Sequence, residues 1–102
     1  MLDFEFHPEA ETEYLAATRW YDEVRDGLGD RFVGEIERAI RRAQKQPLLG
    51  RTLSRRTHRC LARTFPYGVV FAVCDRRIVI VAVMHLHRDP NYWKHRLKDL
   101  PK

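Results

Sequence analysis

The sequence has one serine, Ser54, and two cysteines, Cys60 and Cys74. Ser54 stands in an arginine-rich stretch without the flanking glycines of a nucleophile elbow, which argues against a Ser-His-Asp hydrolase. The cysteines lie in apolar stretches and lack C-x-x-C spacing, so they read as two buried thiols of a reducing compartment rather than a disulfide pair or zinc ligands. With no glycine-rich phosphate loop either, no metal and no cofactor are expected. The longest apolar run, Ile78 to Met84, falls far short of the ~20 residues a membrane helix requires. The opening Met-Leu-Asp-Phe-Glu-Phe lacks the basic and apolar regions of a signal peptide, so a soluble, cytoplasmic protein with no membrane partner is expected.

Acidic residues are also scarce in one half of the chain. Residues 1–50 carry seven basic and eleven acidic side chains, a net of −4, whereas residues 51–102 carry twelve and three, a net of +9. Four of the five histidines, His58, His85, His87 and His95, lie in this basic half. An anionic partner should therefore meet residues 51–102. A hydrophobic content of 44% is enough for one core, and the length leaves room for a single domain over residues 1–102.

Leu2 to Phe6 alternates apolar and acidic residues, the period of a strand with one buried face. His7-Pro8 marks the start of a helix, because proline suits the first helical position and Glu9, Glu11 and Glu13 suit the positive end of the dipole. Ala10, Tyr14, Ala17, Tyr21 and Val24 follow at helical spacing on one face. Gly27 and Gly29 interrupt the pattern and predict a tight helical hairpin. Leu28, Phe32, Ile36, Ala39, Ile40 and Ala43 then mark a second helix, which Pro47 closes. After a basic loop over 48–57, strands are expected at His58 to Thr64, Val69 to Cys74 and Ile78 to His87, with room for a short helix at Tyr92 to Leu97. The order β-α-α-β-β-β predicts an α+β fold, with the helical hairpin packed on one face of a small, mostly antiparallel sheet. The partner of the first strand is not legible.

Two clusters are suited to chemistry or binding. Arg51, Arg55, Arg56, Arg59 and Arg63 occur with no acidic residue between Arg51 and Thr64, and guanidinium groups bind phosphate or carboxylate through charge-assisted, often bidentate bonds. Strand parity places Arg59 and Arg63 on one face. Nucleic acid and an acidic protein segment both fit this cluster, as does a solvated edge strand protected from aggregation. In the second cluster, His85, His87, Arg88, Tyr92 and Trp93 gather where the last strand ends. Its imidazoles and guanidinium are the equipment for metal-independent RNA cleavage, and an aromatic ring there suits stacking on a base. The structural alternative is that Tyr92 and Trp93 fasten the terminal segment to the core.

His-Pro-Glu-Ala at 7–10, Trp20-Tyr21, Leu28-Gly29-Asp30-Arg31-Phe32, Pro47, Arg63-Thr-Phe-Pro-Tyr67 and His85-Leu-His-Arg-Asp-Pro-Asn-Tyr-Trp93 occur in one order. Together they resemble the RelE/ParE superfamily of type II toxin–antitoxin toxins from about Phe6 to Arg96. The resemblance implies a bacterial growth inhibitor held in a hetero-oligomer by a cognate antitoxin whose C-terminal segment wraps the toxin. It implies one of two targets, messenger RNA on the ribosome for RelE-like members or DNA gyrase for ParE-like members. RelE-like nucleases carry an arginine after the tyrosine that opens the third strand, where this chain has Gly68 after Tyr67. They carry another at the end of the last strand, where this chain has Leu86. Tyr92 falls near the nuclease's C-terminal tyrosine and Arg59 near one of its basic strand residues, and in an RNA-cleaving member His85 or His87 would have to substitute for an arginine. The missing arginines favour the gyrase target, with a ribosome-dependent mRNA endonuclease as the alternative and a nucleic-acid-binding module that is no toxin as a further one.

Overall fold

A computed structural model describes residues 1–101. The elements follow the order β1 (Asp3–Phe6), α1 (Pro8–Val24), α2 (Leu28–Lys45), a 3-10 turn (Pro47–Leu49), β2 (Arg51–Thr52), β3 (Thr57–Leu61), β4 (Tyr67–Cys74), β5 (Arg77–His85) and a second 3-10 segment (Lys94–Asp99). The sheet order is β1-β5-β4-β3-β2. All neighbours are antiparallel except β1, which pairs parallel to β5 with Phe6 opposite Ile80. The expected α+β arrangement is present, and the partner of the first strand is the last one.

Each helix begins for a reason visible in its residues. At α1, Pro8 occupies the first turn and the His7 side chain caps it, its Nδ1 accepting the Glu9 N–H at 3.1 Å. The His7 Nε2 lies 2.8 Å from the Asp99 carboxylate, so one imidazole links the helix start to the C-terminal segment. At α2, Gly27 adopts φ +85°, a left-handed conformation that side chains with a Cβ resist. The next glycine serves a different purpose: the Gly29 N–H donates to Asp22 Oδ1 at 2.9 Å, and a Cβ there would fall 2.5 Å from that carboxylate.

The sheet separates two apolar layers. On the helix side, Tyr21, Phe32, Ile36 and Ala39 pack on Val69, Phe71, Ile78 and Ile80. On the other side Val70, Ala72, Val79, Val81 and Met84 are covered by Trp93, with Leu97 and Leu100 packed at its border. Fully burying a side chain the size of Phe32 or Ile36 contributes about 1.5–3 kcal/mol, so the helical face alone accounts for much of the driving force. Val24 departs from expectation: as the last residue of α1 it is 57% exposed.

One irregularity redirects the last strand. Val70 pairs with Ala82 while Phe71 pairs with Ile80, which leaves Val81 as an extra residue, a β-bulge in β5. Before it, Ile78 and Ile80 face the helices; beyond it, Val83 does. The strand therefore changes parity halfway along its length.

Candidate functional site

The bulge coincides with the place where β1 ends and leaves the outer edge of β5 without a strand neighbour. Side chains take over the backbone groups exposed there. Glu13, from α1, accepts the Val83 N–H at 3.2 Å, and Arg96, from the C-terminal segment, donates to the Val81 carbonyl at 2.9 Å. These two residues also bind each other, Arg96 Nη1 to Glu13 Oε1 at 2.8 Å and Nη2 to Oε2 at 3.1 Å. Glu13 Oε2 further accepts the Tyr92 hydroxyl. Arg88 lies over the Tyr92 ring, its Cζ 3.8 Å from the centroid, and 3.6 Å from Glu13.

This geometry fixes what Tyr92 can do. Burial raises the affinity of its phenol for the proton, and the hydrogen bond to Glu13 raises it further. At neutral pH the residue is a donor already committed to Glu13, so it is no base for a ribose hydroxyl. Trp93 is 1% exposed within the apolar layer of the non-helical sheet face, so the expected partner-contacting indole instead fastens the tail to the sheet.

His85 lies beyond the bulge and faces α1. It lines an open cleft of about 300 Å³ with Ala16, Ala17, Trp20, Tyr67 and Arg88, in which Trp20 is 58% exposed. The His85 ring meets Tyr67 edge-on at 5.2 Å and lies 5.0 Å from the His87 ring. The strand ends at His85, so His87 belongs to the following turn rather than the expected strand face, and its N–H donates to His85 Nδ1 at 3.1 Å.

The five arginines of the basic stretch are not one surface. Arg51 and Arg59 are paired across β2 and β3. The Arg59 stem lies over Gly68, where a Cβ would come within 3.0 Å of its Cδ, so the glycine at this position makes room for an arginine from the neighbouring strand. Arg55 is exposed in the turn before β3, and Arg56 reaches the tail, donating to the Pro101 carbonyl at 2.7 Å. β3 stops at Leu61, so Arg63 lies in the turn beyond it rather than on a face shared with Arg59; its N–H donates to Glu35 Oε1 at 2.7 Å. Cys60 packs with the helix-side layer and Cys74 with the opposite one, so the sheet separates the thiols.

Sequence reasoning did not single out Glu13 or Arg96. Their signal is weak, because Glu13 reads with Glu9 and Glu11 as an acidic helix start and Arg96 is one of several cations in the tail. Nothing in their spacing, 83 residues apart, joins them.

Such a fold, a helical hairpin on a five-stranded sheet with a basic edge and a cleft beside the last strand, has a counterpart among solved structures. A chain of the chromosomal ParDE toxin–antitoxin system from P. aeruginosa superposes with a TM-score of 0.73 at 14% identity, over 85% of this chain and 98% of that one. No curated protein matches the sequence. The family model described as "ParE toxin of type II toxin-antitoxin system, parDE" matches residues 4–90. The chain belongs to this ParE family, within the RelE/ParE superfamily, and its role is that of a toxin with an antitoxin as partner. No helix among the described residues is long and apolar enough to cross a membrane.

Proposed function

We propose that this toxin arrests growth in the cytoplasm by engaging a protein target, DNA gyrase, rather than by cutting messenger RNA, and that binding of the antitoxin in a hetero-oligomer relieves the arrest. The observation that carries this reading is the engagement of Tyr92 and Arg88 by Glu13. Cleavage of RNA without metal needs a base for the 2′-hydroxyl, an acid for the leaving oxygen and a cation for the phosphorane. Here the phenol and the nearest guanidinium are turned toward a carboxylate, and Gly68 and Leu86 stand where nuclease arginines are expected. Arg55 and the exposed Trp20 are available as contacts for a protein surface.

Induced expression with parallel readout of transcript cleavage and of supercoiling by purified gyrase tests the proposal. Loss of supercoiling with intact transcripts is expected, and His87→Ala should remain fully toxic. Codon-positioned cuts in messenger RNA, abolished by His87→Ala while supercoiling persists, would instead establish the endonuclease.

A further inference from the structure

The cleft beside the end of β5 keeps apolar surface in water that the packing of the fold does not use. On its α1 side stands Trp20, an indole held edge-on against Tyr21 at 5.0 Å and still 58% exposed. Ala16 and Ala17, one turn earlier, are small enough to leave the space beside that ring open, and Val83 lines the strand side. A large aromatic fixed in place before binding is the kind of group that anchors an interface, because little of its freedom remains to be lost.

The polar groups of the cleft are donors. His85 Nδ1 accepts the His87 N–H, so the neutral ring carries its proton on Nε2. Two charged residues line the space. Glu13 is 14% exposed, with both oxygens engaged by Val83, Arg96 and Tyr92, whereas Arg88 is 56% exposed and approaches Glu13 only to 3.6 Å. The charge presented to a visitor is therefore that of the guanidinium.

The surroundings decide what the visitor is. Along α1, Glu9, Glu11, Asp22 and Glu23 are exposed, against Arg19 alone. A nucleic-acid strand would bring a run of phosphates to this row of carboxylates, and a second copy docked helix to helix would set two such rows against each other. At about 300 Å³ the cleft is also at the small end of binding sites, with room for a projecting side chain rather than for the length of a wrapping segment. A folded protein that offers one apolar side chain, with a single carboxylate beside it, satisfies the indole and the donors together.

We infer that this cleft is where the toxin grips its protein target, taking an apolar side chain that projects from the surface of gyrase with a carboxylate next to it. The inference rests on the gyrase reading and adds to it the place of contact and the chemistry of the contacted surface. Trp20 and Val83 supply the apolar contacts, while Arg88 and His85 receive the carboxylate.

The test measures inhibition of supercoiling by purified gyrase and the affinity of the full chain for that enzyme, with circular dichroism melting to show that each variant folds. Trp20→Ala removes the wall, and Ala16→Arg fills the cleft from an exposed helical position where arginine is well tolerated. Each should raise the Kd and the concentration for half-inhibition by at least about 30-fold, the loss typical of a residue central to an interface. Arg88→Gln should weaken binding by about tenfold, the loss of one hydrogen bond to a charged group. Leu15→Ala, exposed on α1 but outside the cleft, should leave both readouts unchanged. Folded Trp20→Ala and Ala16→Arg proteins within about threefold of the parent would overturn the assignment of the cleft while leaving the gyrase reading intact. A parent chain that neither binds nor inhibits purified gyrase would instead overturn the gyrase reading and the cleft with it. Cleft variants that still inhibit gyrase but lose affinity for the protein encoded by the adjoining reading frame would overturn the assignment in favour of an antitoxin contact.

Discussion

Glu13 and Arg96 form a two-pronged ion pair, at 2.8 and 3.1 Å, that fastens the C-terminal segment to the first helix with side chains only 14% and 6% exposed. Removing one partner leaves the other charge without compensation in a poorly solvated site. Glu13→Ala should therefore destabilise the fold by about 3 kcal/mol or more, since the Val83 N–H and the Tyr92 hydroxyl lose their acceptor as well. The double variant Glu13→Leu with Arg96→Met should recover a large part of that loss, because an apolar pair needs no mutual neutralisation. Urea unfolding of the two variants measures the difference; equal losses in single and double variants would count against the ion pair as the cause.

The two hairpin glycines should fail for different reasons. Gly27→Ala meets no neighbour and suffers only from its positive φ, a penalty of about 1 kcal/mol. Gly29→Ala displaces the Asp22 carboxylate and breaks its bond to the α2 N-terminus, so pairing it with Asp22→Ala should relieve the clash but not restore the cap. Thermal melts of these variants distinguish a backbone penalty, which the second substitution leaves alone, from a steric one.

All four tyrosines hold their protons more tightly than free tyrosine. Burial pushes the Tyr14 phenol up to about 12, with Glu37 adding to the shift, and burial likewise leads for Tyr21, Tyr67 and Tyr92. The unfolded chain ionises its tyrosines near about 10 and so binds fewer protons than the folded chain above that pH. Stability linked to these groups is fully present below about pH 10 and falls as pH rises toward about 12 and beyond. Absorbance of tyrosinate near neutral-to-alkaline pH should stay low until the fold opens; smooth ionisation of one tyrosine at its free value in the folded state would refute the burial argument for that residue.

His7 serves as cap and as link, and substitution separates the two. His7→Ala should lose about 1 kcal/mol from the cap alone, whereas His7→Asn keeps an acceptor for the Glu9 N–H and should recover it. The hydrogen bond from His7 also holds the Asp99 carboxyl below its usual value, with burial opposing it. That contribution is present above the ordinary aspartate range and is lost as pH falls through the lowered value. Both variants should flatten this acid-side slope in denaturation measured against pH.

The helices were legible because their signals are local. Pro8, the apolar spacing of Phe32, Ile36 and Ala39, and the glycines of the hairpin act within one or two turns of chain. The C-terminal structure was half legible: an aromatic pair in a polar tail suggested either a contact surface or an anchor, and only the packing of Trp93 on the sheet separates them. β2 was hidden because two residues carry no period. The Glu13–Arg96 pair was hidden because the distance that matters for a charge is measured through space. The basic stretch reads as a unit because Arg56 stands beside Arg55, although the bend there sends the Arg56 side chain to the tail.

Val81 shows how much can hang on a single count. Without the bulge that absorbs this extra residue, strict alternation along β5 would point Ala82 and Met84 at the helices, and Val83 and His85 would emerge among the tail residues. Deleting Val81 would only straighten the ladder, but flattening the bulge with Val81 kept in register would do more. It would exchange the two sides of the molecule for everything downstream, emptying the cleft beside Trp20 of its imidazole and wedging methionine beneath the helices. The bulge is thus part of the toxin's surface chemistry, and a residue inserted beyond it will be tolerated far less readily than the deletion of Val81, which keeps every later side chain on its own face.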